Sequence, residues 1–259
     1  MRFVSLGSGS KGNATLIESD ETLVLVDCGF SVRETLARMT ARALDPAQLS
    51  AIFVTHEHGD HVRGVLPLAR RLGVPVYLSH GTARALAQRG ERYDARGVAL
   101  HEVRPGRAVT VGALTVMPVP VPHDAQEPCQ YVLADQRHRL GVLTDLGMIT
   151  THVIEAYADC DALVLECNHD IDMLATGPYP LSLKRRVGGQ WGHLNNRQAA
   201  SLVEELEQSR LQHLVLSHLS EENNTPDHAL TAVTAAGFDD VRRLRVADQA
   251  SGFPWLTME

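Results

Sequence analysis

The stretch from Val54 to His61, read Val-Thr-His-Glu-His-Gly-Asp-His, constrains this chain more than any other, because it concentrates residue types that bind metals. It continues from Ala51-Ile52-Phe53-Val54, an apolar β-branched and aromatic run typical of a buried strand. The first two histidines are two positions apart, so an extended backbone turns both imidazoles to the same side. Asp60 and His61 lie in the first turn of a predicted helix and point to a neighbouring position. The stretch therefore predicts a strand end that serves two metal ions.

Length, charge and cysteine content limit the class of protein. A chain of 259 residues with 44% hydrophobic and 21% charged residues is an ordinary globular protein, and its net charge of −7 argues against binding nucleic acid through bulk electrostatics. Four cysteines without CxxC spacing and without a signal peptide indicate reduced thiols in the cytoplasm. No apolar run approaches the ~20 residues that span a bilayer, so no membrane association is expected.

A glycine-rich stretch near the amino end imitates a nucleotide-binding loop. Gly7 to Gly12 fits GxGxxG, and Asp27 follows twenty residues after Gly7. The segments that follow, 13–18 and 22–27, have the pattern of two strands, whereas a dinucleotide loop must open a helix. No nucleotide cofactor is therefore expected. The loop is either a tight turn that packs under the site or a phosphate contact made by backbone N–H groups and Lys11.

The remaining chain alternates strands and helices. A helix over 31–43, a helix over 62–72 ended by Gly73, a strand at 74–78 and a helix over 82–89 precede a meander of short strands between 98 and 144. Helices are predicted near 151–158, 196–208 and 226–236, and strands at 162–166, 213–217 and 241–246. The segment 178–189 remains a loop or a broken helix. The pattern predicts one α/β domain over 1–259, with halves of approximately 1–145 and 146–259 and two sheets packed face to face.

Further ligand types follow later strands. His123, Asp145 and His218 each come directly after an apolar run. The complete set has five imidazoles and two carboxylates, enough for two divalent ions, and Asp145 is the natural bridge between them. The set suits Zn, Mn or Fe and consists of His56, His58, Asp60, His61, His123, Asp145 and His218.

This ligand set resembles that of the metallo-β-lactamase superfamily over nearly the whole chain. The resemblance implies a four-layer αββα sandwich with a binuclear site at one edge. It also implies that His56, His58 and His123 hold one metal, that Asp60, His61 and His218 hold the other, with Asp145 between them, and that Asp27 supports the loop without binding metal.

Further motifs recur along the chain: Gly7 to Asn13, Val121-Pro122-His123-Asp124-Ala125, Glu166 to Asp170, Gly177-Pro178-Tyr179-Pro180 with Leu183 to Arg186, Gly192-His193-Leu194, and Ser217 to Ser220 with Asn223-Asn224. In these motifs the chain resembles the YycJ (WalJ) group. This narrower resemblance implies a 5′→3′ DNA exonuclease linked to repair and related to the phosphodiesterases tRNase Z and PhnP. One position departs from the group's pattern: Asn195 stands where serine is usual, although Asn caps a helix as well as Ser does.

Several residues are candidates for chemistry beside the metals. Asp60 and His193 are the candidates for catalysis. His193 is either the general acid that protonates the leaving oxygen, a donor to the phosphoryl oxygens, or a packing or capping histidine. Glu166 either fixes a histidine tautomer or is a buried acid paired with an arginine. His169 is either structural or a support behind the ligands. The basic cluster Lys184, Arg185 and Arg186 either grips substrate phosphates or is a solvated turn.

The favoured function is hydrolysis of a DNA phosphodiester by a hydroxide held between two metals. A thioester hydrolase of the glyoxalase II type needs much the same ligands, and a small-molecule cyclic phosphodiesterase is a further alternative. His193 and the basic cluster favour a nucleic acid substrate, since a neutral thioester requires neither. A scaffold protein with a degenerate site is disfavoured by the complete ligand set. The oligomeric state is left open.

Overall fold

Two sheets form the centre of the molecule in a computed structural model that describes residues 1–90 and 93–259. The strands of the first sheet are, in spatial order, β14 (Phe253–Thr257), β1 (Arg2–Gly7), β2 (Ala14–Ser19), β3 (Thr22–Val26), β4 (Leu49–Phe53), β5 (Val76–Ser79) and β6 (Leu100–Val103). Those of the second are β13 (Leu244–Val246), β12 (His213–Ser217), β11 (Ala162–Glu166), β10 (Arg139–Leu143), β9 (Cys129–Ala134), β8 (Leu114–Pro120) and β7 (Val109–Val111).

Helices connect the strands. They are α1 (Val32–Ala41), α2 (Gly59–Val62), α3 (Val65–Leu72), α4 (His80–Ala87), α5 (Thr151–Tyr157), α6 (Ile171–Thr176), α7 (Leu181–Val187), α8 (Asn196–Glu205) and α9 (Pro226–Ala235), with a short 3₁₀ helix at Pro46–Gln48. Within the described part of the chain, none of these helices has the length and apolar character needed to cross a membrane.

The pleat of the strands explains the layers. On β3, Val24 and Val26 pack in the apolar cluster between the two sheets, whereas Leu23 and Leu25 pack in the cluster beneath α1 and α3. β11 and β12 show the same alternation between the sheet interface and the layer of α5, α8 and α9. Because successive side chains of a strand point to opposite faces, each sheet is covered on both sides. The predicted αββα sandwich is confirmed.

One edge of the sandwich collects the chemically important residues. Strands β3 to β6 run parallel to one another, and so do β10 to β13, so their carboxyl ends lie at the same edge of each sheet. β8 and β10 both pair antiparallel with β9 and therefore share a direction. The residues that follow or end these strands are Asp27 (β3), the loop 55–61 (β4), His123 (β8), Asp145 (β10), Glu166 (β11) and His218 (β12).

The structure differs in detail from the predicted elements and boundaries. The helix predicted over 62–72 is divided between α2 and α3, because the N–H of Gly64 donates to the carbonyl of Cys28 at 2.8 Å and so leaves the helical hydrogen-bond pattern. Much of the segment 178–189 forms α7, which the proline and glycine content obscured. β14 was not predicted at all. The sheets also change between β6 and β7, not near residue 145. That residues 1–259 form one domain stays a prediction.

Backbone hydrogen bonds join the loop 55–61 to the segments around Asn13 and Gly29. The N–H of Asn13 donates to the carbonyl of Asp60 at 2.8 Å, the N–H of Gly29 donates to that of Asn13 at 2.9 Å, and the N–H of Cys28 donates to that of His61 at 2.8 Å. A Cβ on Gly29 would lie 1.8 Å from the carbonyl oxygen of Asp60. The position therefore has no room for any side chain, and the placement of Asp60 depends on it.

We expect Gly29→Ala to lower the free energy of unfolding by about 1–3 kcal/mol, because the added methyl group forces the loop 55–61 away from β3. Urea unfolding followed by circular dichroism measures this change. Gly59→Ala is the matched control, since a Cβ at Gly59 has no atom within 4 Å. Equal losses in both variants would contradict the packing argument.

Candidate metal centre

Three histidines from two sheets form the first group of ligand atoms. His56 Nε2 lies 3.0 Å from His58 Nδ1, and His123 Nε2 lies 3.3 Å from the same Nδ1. His56 and His123 are buried, while His58 is partly exposed to the cleft. Three imidazole nitrogens therefore converge on a single point, as in a metal site with an open position.

A second group lies beside it. His61 Nε2 is 3.4 Å from Asp60 Oδ2, and His218 Nε2 is 3.5 Å from the same oxygen. The structure thus brings the end of β12 to the loop after β4, although the two lie far apart in sequence. These three residues form another cluster capable of holding an ion.

Asp145 stands between the two groups. Its Oδ1 lies 3.9 Å from His123 Nε2, and its Oδ2 lies 3.2 Å from His61 Nε2. Asp145 Oδ1 also lies 3.4 Å from His218 Nδ1. The carboxylate therefore lies within reach of both groups, as a bridging ligand must.

Acceptors on the outer side select which imidazole nitrogen faces inward. His61 Nδ1 donates to Asp27 Oδ2 at 2.8 Å, His123 Nδ1 donates to the carbonyl of Gly192 at 2.8 Å, and His218 Nδ1 donates to Glu166 Oε1 at 3.1 Å. In each ring a proton is held on Nδ1, so Nε2 of the neutral ring presents its lone pair to the centre of the site.

The electrostatics of the two groups differ. Burial and neighbouring imidazoles lower the pKa of His56 well below its ordinary value and that of His58 to about 4, so both are neutral ligands at pH 7. Burial opposes positive charge on His61 and His218 too, but Asp145 and the other carboxylates outweigh the effect of burial. They raise the pKa of His61 well above its ordinary value and the pKa of His218 to about 10. The second group therefore attracts positive charge.

The residues fit metal ions on two observations. Within the described residues, Asp145 Oδ2 and His218 Nε2 are buried without a hydrogen-bond partner, an arrangement that costs free energy unless another partner such as a cation is bound. The donor set of imidazoles and carboxylates also matches divalent transition metals.

Glu166 connects the centre to His193. Its Oε1 accepts from His193 Nδ1 at 2.7 Å and from His218 Nδ1 at 3.1 Å, and its Oε2 accepts from the N–H groups of Leu146 and Leu194 at 3.0 Å each. Although burial opposes its charge, His193 and these hydrogen bonds lower the pKa of Glu166 to about 2. The predicted contact between Glu166 and a histidine of the site is therefore present.

His169 lies behind this pair. It is buried, its Nδ1 has no hydrogen-bond partner among the described residues, and burial lowers its pKa to about 4. It does not join the ligand clusters of the described chain, so a supporting role for it stays a prediction.

The site opens into a cleft of about 320 Å³, and the basic residues are distributed unequally around it. Arg186 lines the cleft and pairs with Asp124. Lys184 donates to the carbonyl of Ala175 at 2.7 Å, and neither it nor Arg185 is among the lining residues. Lys11 pairs with Glu221 at 2.6 Å and does not line the cleft either.

The glycine-rich loop folds on itself beside the site. The N–H of Gly9 donates to Asn13 Oδ1 at 2.8 Å, the N–H of Lys11 donates to Gln249 Oε1 at 2.8 Å, and the N–H of Gly12 donates to the carbonyl of Gly9 at 2.9 Å. These amides are occupied by protein acceptors, so the geometry favours the tight turn of the two alternatives.

Three residues near the metal ligands received no role from the sequence. Thr55 Oγ1 lies 3.0 Å from His56 Nδ1 and donates to Asp27 Oδ2 at 2.8 Å, and Asn13 Nδ2 lies 3.1 Å from His61 Nε2. Asp124 Oδ1 lies 3.4 Å from His123 Nε2. In the sequence, a role for Thr55 and Asp124 was indicated only by their positions next to His56 and His123. Asn13 was marked only by its position after the glycine-rich stretch.

Fold and site together define the class of protein. The family model of the beta-lactamase superfamily domain matches residues 22–219, so the chain belongs to that superfamily and is a metallo-hydrolase of the metallo-β-lactamase fold.

Curated relatives narrow the class. The chain is 34% identical to "Exodeoxyribonuclease YycJ" of Bacillus anthracis, over 90% of this chain and 88% of the relative. It is 31% identical to "Exodeoxyribonuclease WalJ" of Streptococcus pneumoniae serotype 2, over 88% of this chain and 85% of the relative. The resemblance to the YycJ (WalJ) group is confirmed.

Solved structures agree on the fold. YhfI of Bacillus subtilis has a TM-score of 0.75 at 19% identity, covering 98% of each chain. A diphosphatase of the PhnP family has a TM-score of 0.69 at 21% identity, covering 100% of this chain and 98% of the other. The short form of human tRNase Z also has a TM-score of 0.69, at 17% identity and full coverage of both chains. At these identities the likeness shows the fold alone.

We expect Thr55→Val to weaken metal binding by about 10- to 100-fold, because it removes the hydroxyl group that orients His56 and Asp27. Competition with a chromogenic chelator measures the affinity. Thr82→Val removes an equally buried hydroxyl group on α4 and should bind metal like the wild type. Unchanged affinity in Thr55→Val would show that the hydroxyl group does not position the ligands.

Proposed function

We propose that this protein is a binuclear metal-dependent phosphodiesterase that acts as a 5′→3′ DNA exonuclease. The observation that carries the proposal is His193, a histidine outside the seven proposed metal ligands. It faces the same cleft as the two ligand groups and is held there by Glu166. A hydrolase whose leaving group is an alkoxide needs such a proton donor.

The seven proposed ligands divide as the resemblance implies. His56, His58 and His123 would hold one ion, Asp60, His61 and His218 the other, and Asp145 would contribute an oxygen to each. When bound, such ions supply Lewis-acid polarisation of the phosphoryl oxygens and an activated water at neutral pH. The ligand set suits Zn, Mn and Fe equally.

The protein's own residues orient the ligand rings and supply the negative charge that bound cations need. Asp27 and Glu166 hold the rings of His61 and His218, and Asp60 and Asp145 supply negative charge where cations are needed. Such preorganised charge costs little reorganisation when the phosphodiester enters.

His193 is proposed as the general acid. Its Nδ1 proton is held by Glu166, which leaves Nε2 to donate to the leaving oxygen. Burial opposes charge on the ring, but Glu166 outweighs it and raises the pKa of His193. The imidazolium form is therefore available near neutral pH.

Arg186 is proposed to contact a substrate phosphate. It pairs with Asp124 at the cleft, so an incoming phosphate would have to compete with that carboxylate. Lys184, Arg185 and Lys11 would act through longer-range attraction, since they do not line the cleft.

The relatives favour DNA among the possible substrates. YycJ and WalJ, both named exodeoxyribonucleases, align over 88–90% of this chain, whereas the relative named Ribonuclease Z from Methanopyrus kandleri aligns over 45%. Polarity from the 5′ end follows from the resemblance to the YycJ group. The scissile group of a thioester is uncharged, whereas that of a phosphodiester carries the negative charge that Arg186 would contact.

A substrate panel tests the function. We expect the metal-loaded protein to degrade 5′-phosphorylated DNA from the 5′ end, to act more slowly on RNA of the same sequence and to leave a glutathione thioester intact. The assay follows labelled strands with Zn, Mn and Fe in turn. Thioester cleavage without strand degradation would refute the proposal, and release from the 3′ end would refute the polarity.

A second prediction concerns His193. We expect His193→Ala to keep its metals and lose about 10²–10⁴-fold in kcat on DNA, with a smaller loss on bis(p-nitrophenyl) phosphate, whose leaving group needs no proton. Because the acid must be protonated, wild-type kcat should fall as the pH rises above the raised pKa of His193, and the variant should lack this limb. His80→Ala, an exposed histidine on α4, is the control. Full activity of His193→Ala would rule out His193 as the general acid.

A further inference from the structure

Trp191 is an exposed aromatic residue beside the general acid. It is one of two tryptophans in the chain, it is 63% exposed, and it precedes Gly192 and His193, both of which line the cleft. By contrast, the indole of Trp255 donates to the carbonyl of Arg42 and lies under the guanidinium of Arg2. No stacking or cation–π contact of the described residues involves Trp191.

The backbone around Trp191 is fixed. The N–H of Gly192 donates to the carbonyl of Gly189 at 2.9 Å, and that of His193 donates to Val187 at 2.8 Å. This turn also packs against Gly147, where a Cβ would lie 2.3 Å from the carbonyl oxygen of Gln190. A large side chain on a rigid backbone contributes contact area at a small loss of conformational entropy.

The sequence stretch that carries Trp191 is positively charged. The stretch 177–193 contains Lys184, Arg185 and Arg186 and no acidic residue, in a chain with a net charge of −7. Exposed aromatic rings among cations are the combination that proteins use to bind single-stranded nucleic acid, since bases stack on the ring while the backbone lies along the positive charge. A two-fold dimer through this stretch would instead place the same cations of both copies together.

We propose that Trp191 stacks on a base next to the scissile phosphate and so positions a single DNA strand in the cleft. Trp191 and His193 are two positions apart in the sequence, a span of about 7 Å or less along the backbone. The ring is therefore within reach of a nucleotide adjoining the phosphate that His193 serves. This inference rests on the proposed nuclease function and makes Trp191 a positioning residue.

Kinetics on paired substrates tests the inference. One substrate is a 5′-phosphorylated single-stranded oligodeoxynucleotide, and the other carries abasic residues at the first three positions of each end. We expect Trp191→Ala to lower kcat/KM on the normal strand about 5- to 150-fold, the equivalent of ~1–3 kcal/mol of stacking. On the abasic strand, the variant and the wild type should be equally slow.

Matched variants separate stacking from structure. Trp191→Phe should keep kcat/KM within about threefold, since a phenyl ring also stacks. Leu181→Ala removes an equally exposed apolar side chain, 63% exposed on α7, and should resemble the wild type. Metal content by elemental analysis should be unchanged in all three variants.

A second readout does not depend on turnover. In a Trp255→Phe background Trp191 is the sole tryptophan, and its fluorescence in the metal-loaded protein should be quenched by a cleavage-resistant phosphorothioate strand but not by the abasic equivalent.

Several outcomes would overturn the inference. Equal losses on normal and abasic strands would indicate a structural role, and unchanged kcat/KM would exclude stacking. A lower molar mass of Trp191→Ala in solution would assign the residue to an interface between copies. If the wild type degrades no nucleic acid, both the proposed nuclease function and the inference about Trp191 are refuted. If the wild type is active and Trp191→Ala is equally active, only the stacking is refuted.

Discussion

Two buried carboxylates, Asp27 and Glu166, hold the centre of this molecule together. Each stands at the carboxyl end of a parallel strand, Asp27 after β3 in one sheet and Glu166 at the end of β11 in the other. Asp27 accepts from Thr55 and His61, and Glu166 accepts from His193, His218 and two backbone N–H groups. Because a buried carboxylate must be satisfied, these contacts fix the rings that surround the site.

The same arrangement gives the site an affinity for cations. Asp60 and Asp145 lie among the imidazoles, and in the metal-free protein protons on His61 and His218 balance part of their charge. A divalent cation held by these residues would supply the same balance of charge. The folding of the scaffold and the binding of metal are therefore coupled through the same few carboxylates.

The backbone is held in uncommon conformations at two of these positions. Asp27 has φ of 61° and His218 has φ of 54°, values in the left-handed region that non-glycine residues rarely adopt. Both residues are buried and tied by hydrogen bonds, His218 through its N–H to Ser8 Oγ at 2.9 Å and Asp27 through its N–H to the carbonyl of Phe53 at 2.8 Å. Surrounding contacts thus maintain conformations that turn the chain sharply at the strand ends, where ligands must project.

The sequence by itself determined the layers and the ligand types, whereas the tertiary structure decided their partners. The continuous apolar runs of β3 and β11, typical of strands covered on both faces, and the spacing of the ligands between His56 and His61 are local patterns. The layers and the order of the ligands could therefore be predicted from them. Three features depend on residues that are distant in sequence. Glu166 accepts hydrogen bonds from both His193 and His218, β14 pairs with β1, and Arg186 lines the cleft whereas Lys184 does not. They depend on which strand ends meet and which way a short helix faces, and these follow from packing between residues distant in the chain.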